Sequence, residues 1–135
     1  MRTNYVRGAS LSCSESQAEI RDMLAASGIR QFQFRSEQGR AGVAFSTGDR
    51  RFRLVLPVAV AAAGPPDSRS SQDAARRHWR QLSVLMRAKL DAVSSGIVTF
   101  DEEFLAYMVM PGGGTVFQAT APGIASAYAV AQPHV

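Results

Sequence analysis

The chain has 135 residues, 15 basic against 11 acidic, for a net charge of +4, and 46% of it is hydrophobic. That is long enough for one domain to bury a core without disulfides or metal, and too apolar for a disordered chain. Cys13 is the only cysteine, and His78 and His134 are the only histidines, so neither a disulfide scaffold nor the usual structural zinc set can form. No cofactor is implied.

The longest apolar run, Leu54 to Ala63, spans about ten residues and contains Pro57, against the roughly 20 a bilayer helix needs. Met1 to Ser10 carries Arg2 and Arg7 without the apolar stretch of a signal peptide. The expected setting is the cytoplasm, with no membrane partner. The positive charge is almost wholly arginine, Lys89 being the only lysine, a bias common in GC-rich genomes. Where the arginines sit therefore matters more than their sum.

In chain order, residues 1 to 11 read as a flexible tail before a single domain over 12 to 135. Ser12 to Glu15 and Ser14 to Gln17 both fit a capping box, in which a hydroxyl accepts an orphan helix N–H. Ile20, Met23 and Leu24 follow at helical spacing and Gly28 supplies the stop, so a helix is predicted over 14 to 27. Three alternating segments come next: Gln31 to Arg35, Ala41 to Phe45, and Arg51 to Leu56. Glu37-Gln38-Gly39 and Thr47-Gly48-Asp49 provide the turns of an antiparallel meander. One face would bury Phe32, Phe34, Val43, Phe45, Phe52, Leu54 and Leu56. The other would carry Gln31, Gln33, Arg35, Gly42, Ala44, Arg51 and Arg53.

Residues 57 to 70, rich in Ala, Gly, Pro and Ser, read as a mobile loop. A long amphipathic helix is predicted over 72 to 94, with Ala75, Trp79, Leu82, Met86, Leu90 and Val93 as its apolar stripe. Arg76, Arg80, Ser83, Arg87 and Asp91 fall on the opposite side, and Gly96 lies just past the end. Thr99 to Glu102 is a further capping box, opening a short helix that Pro111 must end. Gly112-Gly113-Gly114 reads as a turn, Thr115-Val116-Phe117 as a short strand, and Pro122 as the first turn of a last helix near 122 to 130. The predicted fold is α+β: the meander packed on the long helix, flanked by an N-terminal helix and short C-terminal ones.

The block Trp79-Arg80-Gln81-Leu82, Arg87 to Val93, Ser95-Gly96-Ile97, Thr99-Phe100 and Glu102 to Ala106 resembles a group of small proteins encoded by bacteriophages and prophages of GC-rich bacteria. The likeness extends to the strand ending Arg53-Leu54-Val55-Leu56-Pro57 and to the turn before Thr115-Val116, covering roughly residues 14 to 128. It departs at Gly112-Gly113-Gly114, where Asp-Gly is expected, and in a shorter loop at 58 to 70. The resemblance implies a mobile-element origin. It brings no assigned activity and no catalytic residues.

The residues themselves offer one candidate surface. Arg76, Arg80 and Arg87 share one side of the long helix, while Arg35, Arg51 and Arg53 project from the open sheet face. Two arginine rows suit phosphates, each contact adding affinity by counterion release. A plain solvated face is the default alternative. The alternation sends the strand phenylalanines to the core, which disfavours base stacking of the kind seen on RNA-recognition sheets. Asp101-Glu102-Glu103 suits a helix N-terminus better than acid–base work, since consecutive helical residues point about 100° apart. Pro111 to Thr115 lacks the Lys-Ser/Thr of a P-loop, and Cys13 has no His placed beside it. The expected function is a non-enzymatic binding protein contacting nucleic acid or a host nucleoprotein complex. The alternatives are an inhibitor of host defence, of the anti-CRISPR kind, that docks on a protein, and a homo-oligomeric assembly protein.

Overall fold

In a computed structural model, residues 2–37, 40–56 and 69–131 are described, with side chains from Cys13 onward and Glu37 excepted. Helix α1 (Arg2–Ala26) leads into strands β1 (Gln31–Glu37), β2 (Arg40–Thr47) and β3 (Arg50–Val55). Helices α2 (Arg69–Ser94) and α3 (Phe100–Phe104) follow, then a 3₁₀ turn at Leu105–Tyr107 and helix α4 (Val116–Val130). The strands form one antiparallel sheet in the order β1-β2-β3. The fold is α+β, as the alternation predicts.

Register explains how the sheet makes two unlike faces. Phe32, Phe45 and Phe52 stand in one cross-strand row and Phe34, Val43 and Leu54 in the next, all on the helix side. Val43 and Phe52 are fully buried there, with Phe45 and Leu54 nearly so. α1 and α2 cover this face, Phe34 meeting Trp79 edge-on at 5.6 Å between ring centroids. α3 closes one end by stacking Phe100 on Phe104 at 4.6 Å and setting Phe104 edge-on to Phe45 at 5.7 Å. Ring edges against ring faces add roughly 0.5–1.5 kcal/mol per pair beyond burial.

Helix ends follow the expected chemistry. At Gly28 (φ 81°) the Ile29 N–H donates to Leu24 O at 2.9 Å and the Gly28 N–H to Ala25 O at 3.0 Å, a Schellman stop sealed by buried Ile29 and Leu24. Gly96 (φ 82°) ends α2 in the same way, the Ile97 N–H reaching Ala92 O at 3.2 Å. Thr99 opens α3 with a reciprocal capping box to Glu102.

Four expectations are corrected. The helix expected over 14 to 27 starts earlier, running from Arg2 to Ala26. Ser12 and Ser14 can cap a helix but cannot stop one, and extending an existing helix is far cheaper than nucleating one. Of residues 115 to 117, expected as a strand, Thr115 makes a single antiparallel bridge to Val109, but Val116 and Phe117 start α4, because Thr115 and Gln118 form a second capping box. Pro122 therefore lies inside α4 and not in its first turn. Ser83, expected on the outer side of α2, is buried and donates to Glu19 Oε1 of α1 at 2.8 Å. α2 packs on α1 as well as the sheet, so its buried arc also takes in Ala74 and His78 and is wider than a single stripe. The loop expected over 57 to 70 lies outside the described residues from 57 to 68, and Arg69 and Ser70 already belong to α2.

Candidate nucleic-acid interface

The sheet face turned away from the helices is built in rows. Gln31, Ser46 and Arg51 stand side by side, then Gln33, Ala44 and Arg53, then Arg35, Gly42 and Val55. Across these rows the central strand contributes only small residues, and its neighbours contribute long polar ones except at Val55. Strands lie about 4.8 Å apart, so the β1 and β3 side chains wall a trough roughly 10 Å wide. Gly42 is needed for the floor. A Cβ there would lie 2.9 Å from Val55 Cγ2 and 3.1 Å from the Leu54 carbonyl oxygen.

A small hairpin raises the β3 wall. Val109 N–H donates to Arg51 O at 2.7 Å, bridging Met108 to Phe52 of β3, and Val116 N–H returns to Met108 O at 2.8 Å. Gly113 (φ 99°) and Gly114 (φ 74°) make the tip, which hangs over the trough. The resulting groove, of about 450 Å³, is lined by Gln31, Gln33, Arg35, Arg51, Arg53 and the glycine tip, among others. A second groove of about 650 Å³ continues from it toward Arg40 and Val55, beneath the first turn of α4. Arg53 lines both, and its guanidinium donates to Gln118 Oε1 at 3.5 Å.

The six arginines singled out from sequence do not form one surface. Arg35, Arg51 and Arg53 share the trough. Arg80 and Arg87 are exposed on α2, which packs on the opposite face of the sheet, so the hydrophobic core separates the two groups. Arg76 is tied to Asp73 one turn earlier and is close enough to Cys13 to pull on its thiol. Burial nevertheless dominates there and pushes the Cys13 pKa up.

Asp101, Glu102 and Glu103 disperse as their helical angles require. Asp101 pairs with Arg50 at 2.9 Å, Glu102 accepts the Thr99 N–H at 2.9 Å, and Glu103 pairs with Lys89 at 3.0 Å. The two hydrogen bonds from Thr99 hold the Glu102 carboxyl below its ordinary pKa.

Three residues of this region escaped the sequence reading. Arg40 extends the β2 alternation Gly42, Ala44, Ser46 by one step and could have been found that way. Phe117 and Gln118 were hidden by reading 115 to 117 as a strand, although Thr-x-x-Gln is the same capping signature recognised at Thr99. Comparison of the chain with protein-family models, with curated proteins and with solved structures finds no match. No described helix is long and apolar enough to cross a membrane.

Proposed function

We propose that this chain is a non-enzymatic binding protein that holds a nucleic-acid backbone along the open sheet face, using Arg35, Arg51 and Arg53. The observation that carries the reading is the trough itself: small residues along its floor, amides and guanidiniums along its walls. Arg51 and Arg53 are two residues apart on one strand, so they repeat at about 6.7 Å, close to the spacing of successive phosphates on an extended strand. Guanidiniums grip phosphate oxygens bidentately, and small floor residues let a backbone approach closely. The Arg51 guanidinium meets no carboxylate among the described residues, which leaves its charge available. A phage or prophage origin and a cytoplasmic setting accord with such a role.

Fluorescence anisotropy with labelled DNA and RNA tests it. Binding should weaken in R51Q/R53Q and persist in R80Q/R87Q, whose arginines lie across the core. Equal loss in both pairs, or in neither, refutes the assignment to the sheet face.

A protein target, as for an inhibitor of host defence or a self-assembling subunit, is the second reading. It is supported by α4, which carries no charged residue and leaves Ile124, Tyr128 and Val130 more than half exposed. Absence of nucleic-acid binding, together with a stoichiometric complex lost in I124D, would favour it.

A further inference from the structure

The groove beneath α4 differs in character from the trough it continues. It is lined by Arg40 and Arg53 together with Val55, Tyr107 and Phe117. Phe117 is 61% exposed, whereas Phe45, Phe52 and Phe104 are buried together in the core. Its backbone is set by a cap: Thr115, buried and bonded to the Gln118 N–H, fixes the turn that carries Phe117. Tyr107 is set from behind, with Lys89 Nζ 4.7 Å from its ring centroid. An exposed ring on a capped turn, lining one groove with two arginines, suits a ligand that is aromatic and anionic by turns.

We infer that this groove is a base-stacking subsite, seating an unpaired base of single-stranded nucleic acid on Phe117 while Arg40 and Arg53 take the adjoining phosphates. The inference rests on the reading of the trough given above and names its ligand class. From Ser46 to Arg40 the open face runs about 20 Å, room for about three extended nucleotides between the Arg51 end and the ring. A duplex keeps its bases paired and stacked and cannot offer one to Phe117. An acidic peptide satisfies the arginines but leaves the ring idle. Stacking on a single ring is tolerant of base identity, so the subsite sets strandedness and not sequence.

The test uses the full chain with an oligothymidylate of about 12 nucleotides carrying one 2-aminopurine. It also uses the duplex of that strand with its complement, and polyglutamate as a competitor. Wild type should bind the single strand more tightly than the duplex and quench the 2-aminopurine. F117L keeps apolar bulk at an exposed position and should melt with wild type. It should bind the single strand roughly tenfold more weakly without quenching, and leave duplex affinity unchanged. Unchanged quenching and affinity in F117L would overturn the subsite while leaving the arginine trough standing. Displacement by polyglutamate as efficient as by unlabelled oligonucleotide of equal charge would reassign the groove to acidic peptides. Failure of wild type to bind either nucleic acid at low salt would refute the trough, and the subsite with it.

Discussion

Neutralising Arg51 and Arg53 should change the salt dependence of binding by an amount the geometry sets. Arg35, Arg40, Arg51 and Arg53 line the two joined grooves, so a bound single strand meets about four cations. Counterion release then gives a slope of log affinity on log salt of roughly −0.7 per contact, about −2.8 in all. Between about 50 and 200 mM salt the wild-type affinity should fall roughly 50-fold. With two contacts removed in R51Q/R53Q the slope drops to about −1.4 and the loss to roughly sevenfold. R80Q/R87Q should keep the wild-type slope. Both substituted strand residues point away from the core and R53Q gives up only the long bond to Gln118, so the unfolding midpoint should move little, and the R51Q single variant, which leaves that bond in place, serves as the control. Anisotropy titrations at four salt concentrations decide the matter. A double variant whose affinity falls but whose slope matches wild type would mean that these arginines shape the surface without touching phosphate.

Other outcomes concern stability and reactivity. F104A, which empties a fully buried site between Phe45, Phe52 and Phe100, should cost about 3–5 kcal/mol in urea unfolding. G42A should cost about 1–3 kcal/mol, and V55A should relieve it only in part, because the Leu54 carbonyl also stands 3.1 Å from the new Cβ. Glu102 has a folded-state pKa below its unfolded one, so its capping contribution is present above the ordinary glutamate range and is lost as pH falls through the depressed value. E102Q, whose amide oxygen can still accept from Thr99, should remove that acid-range component from the pH dependence of the unfolding midpoint. Cys13, with its pKa raised by burial, should alkylate more slowly at neutral pH than the free amino acid, as a timed iodoacetamide reaction would show.

The sheet was legible because its period of two is local information: each of Phe32, Phe34, Phe45, Phe52 and Leu54 declares its face through its neighbours. Gly28, Gly96 and the Thr99 box were legible for the same reason. Ser83 was not, since its burial depends on α1 lying beside α2, a contact across more than 60 residues of chain. The start of α1 escaped because serine caps mark where a helix can begin without forbidding an earlier start. At Thr115 three signals competed, with β-branched neighbours and a proline at 122 arguing against the cap that prevailed. The separation of the two arginine groups follows from which sheet face α2 covers, and no residue pattern within α2 states that.

Arg53 joins the two grooves, and its bond to Gln118 has a thermodynamic consequence. Gln118 Oε1 accepts both from Arg53 and from the Thr115 N–H that starts α4. Were a phosphate to draw the guanidinium away, that oxygen would be left to the cap alone, and occupancy of the trough and the set of the first turn of α4 would be linked equilibria. Linkage is reciprocal: whatever factor a ligand on the sheet applies to a contact made by α4, that contact applies to the ligand. One long, exposed side-chain contact is thereby the point at which the sheet face and the uncharged helix beyond it would communicate.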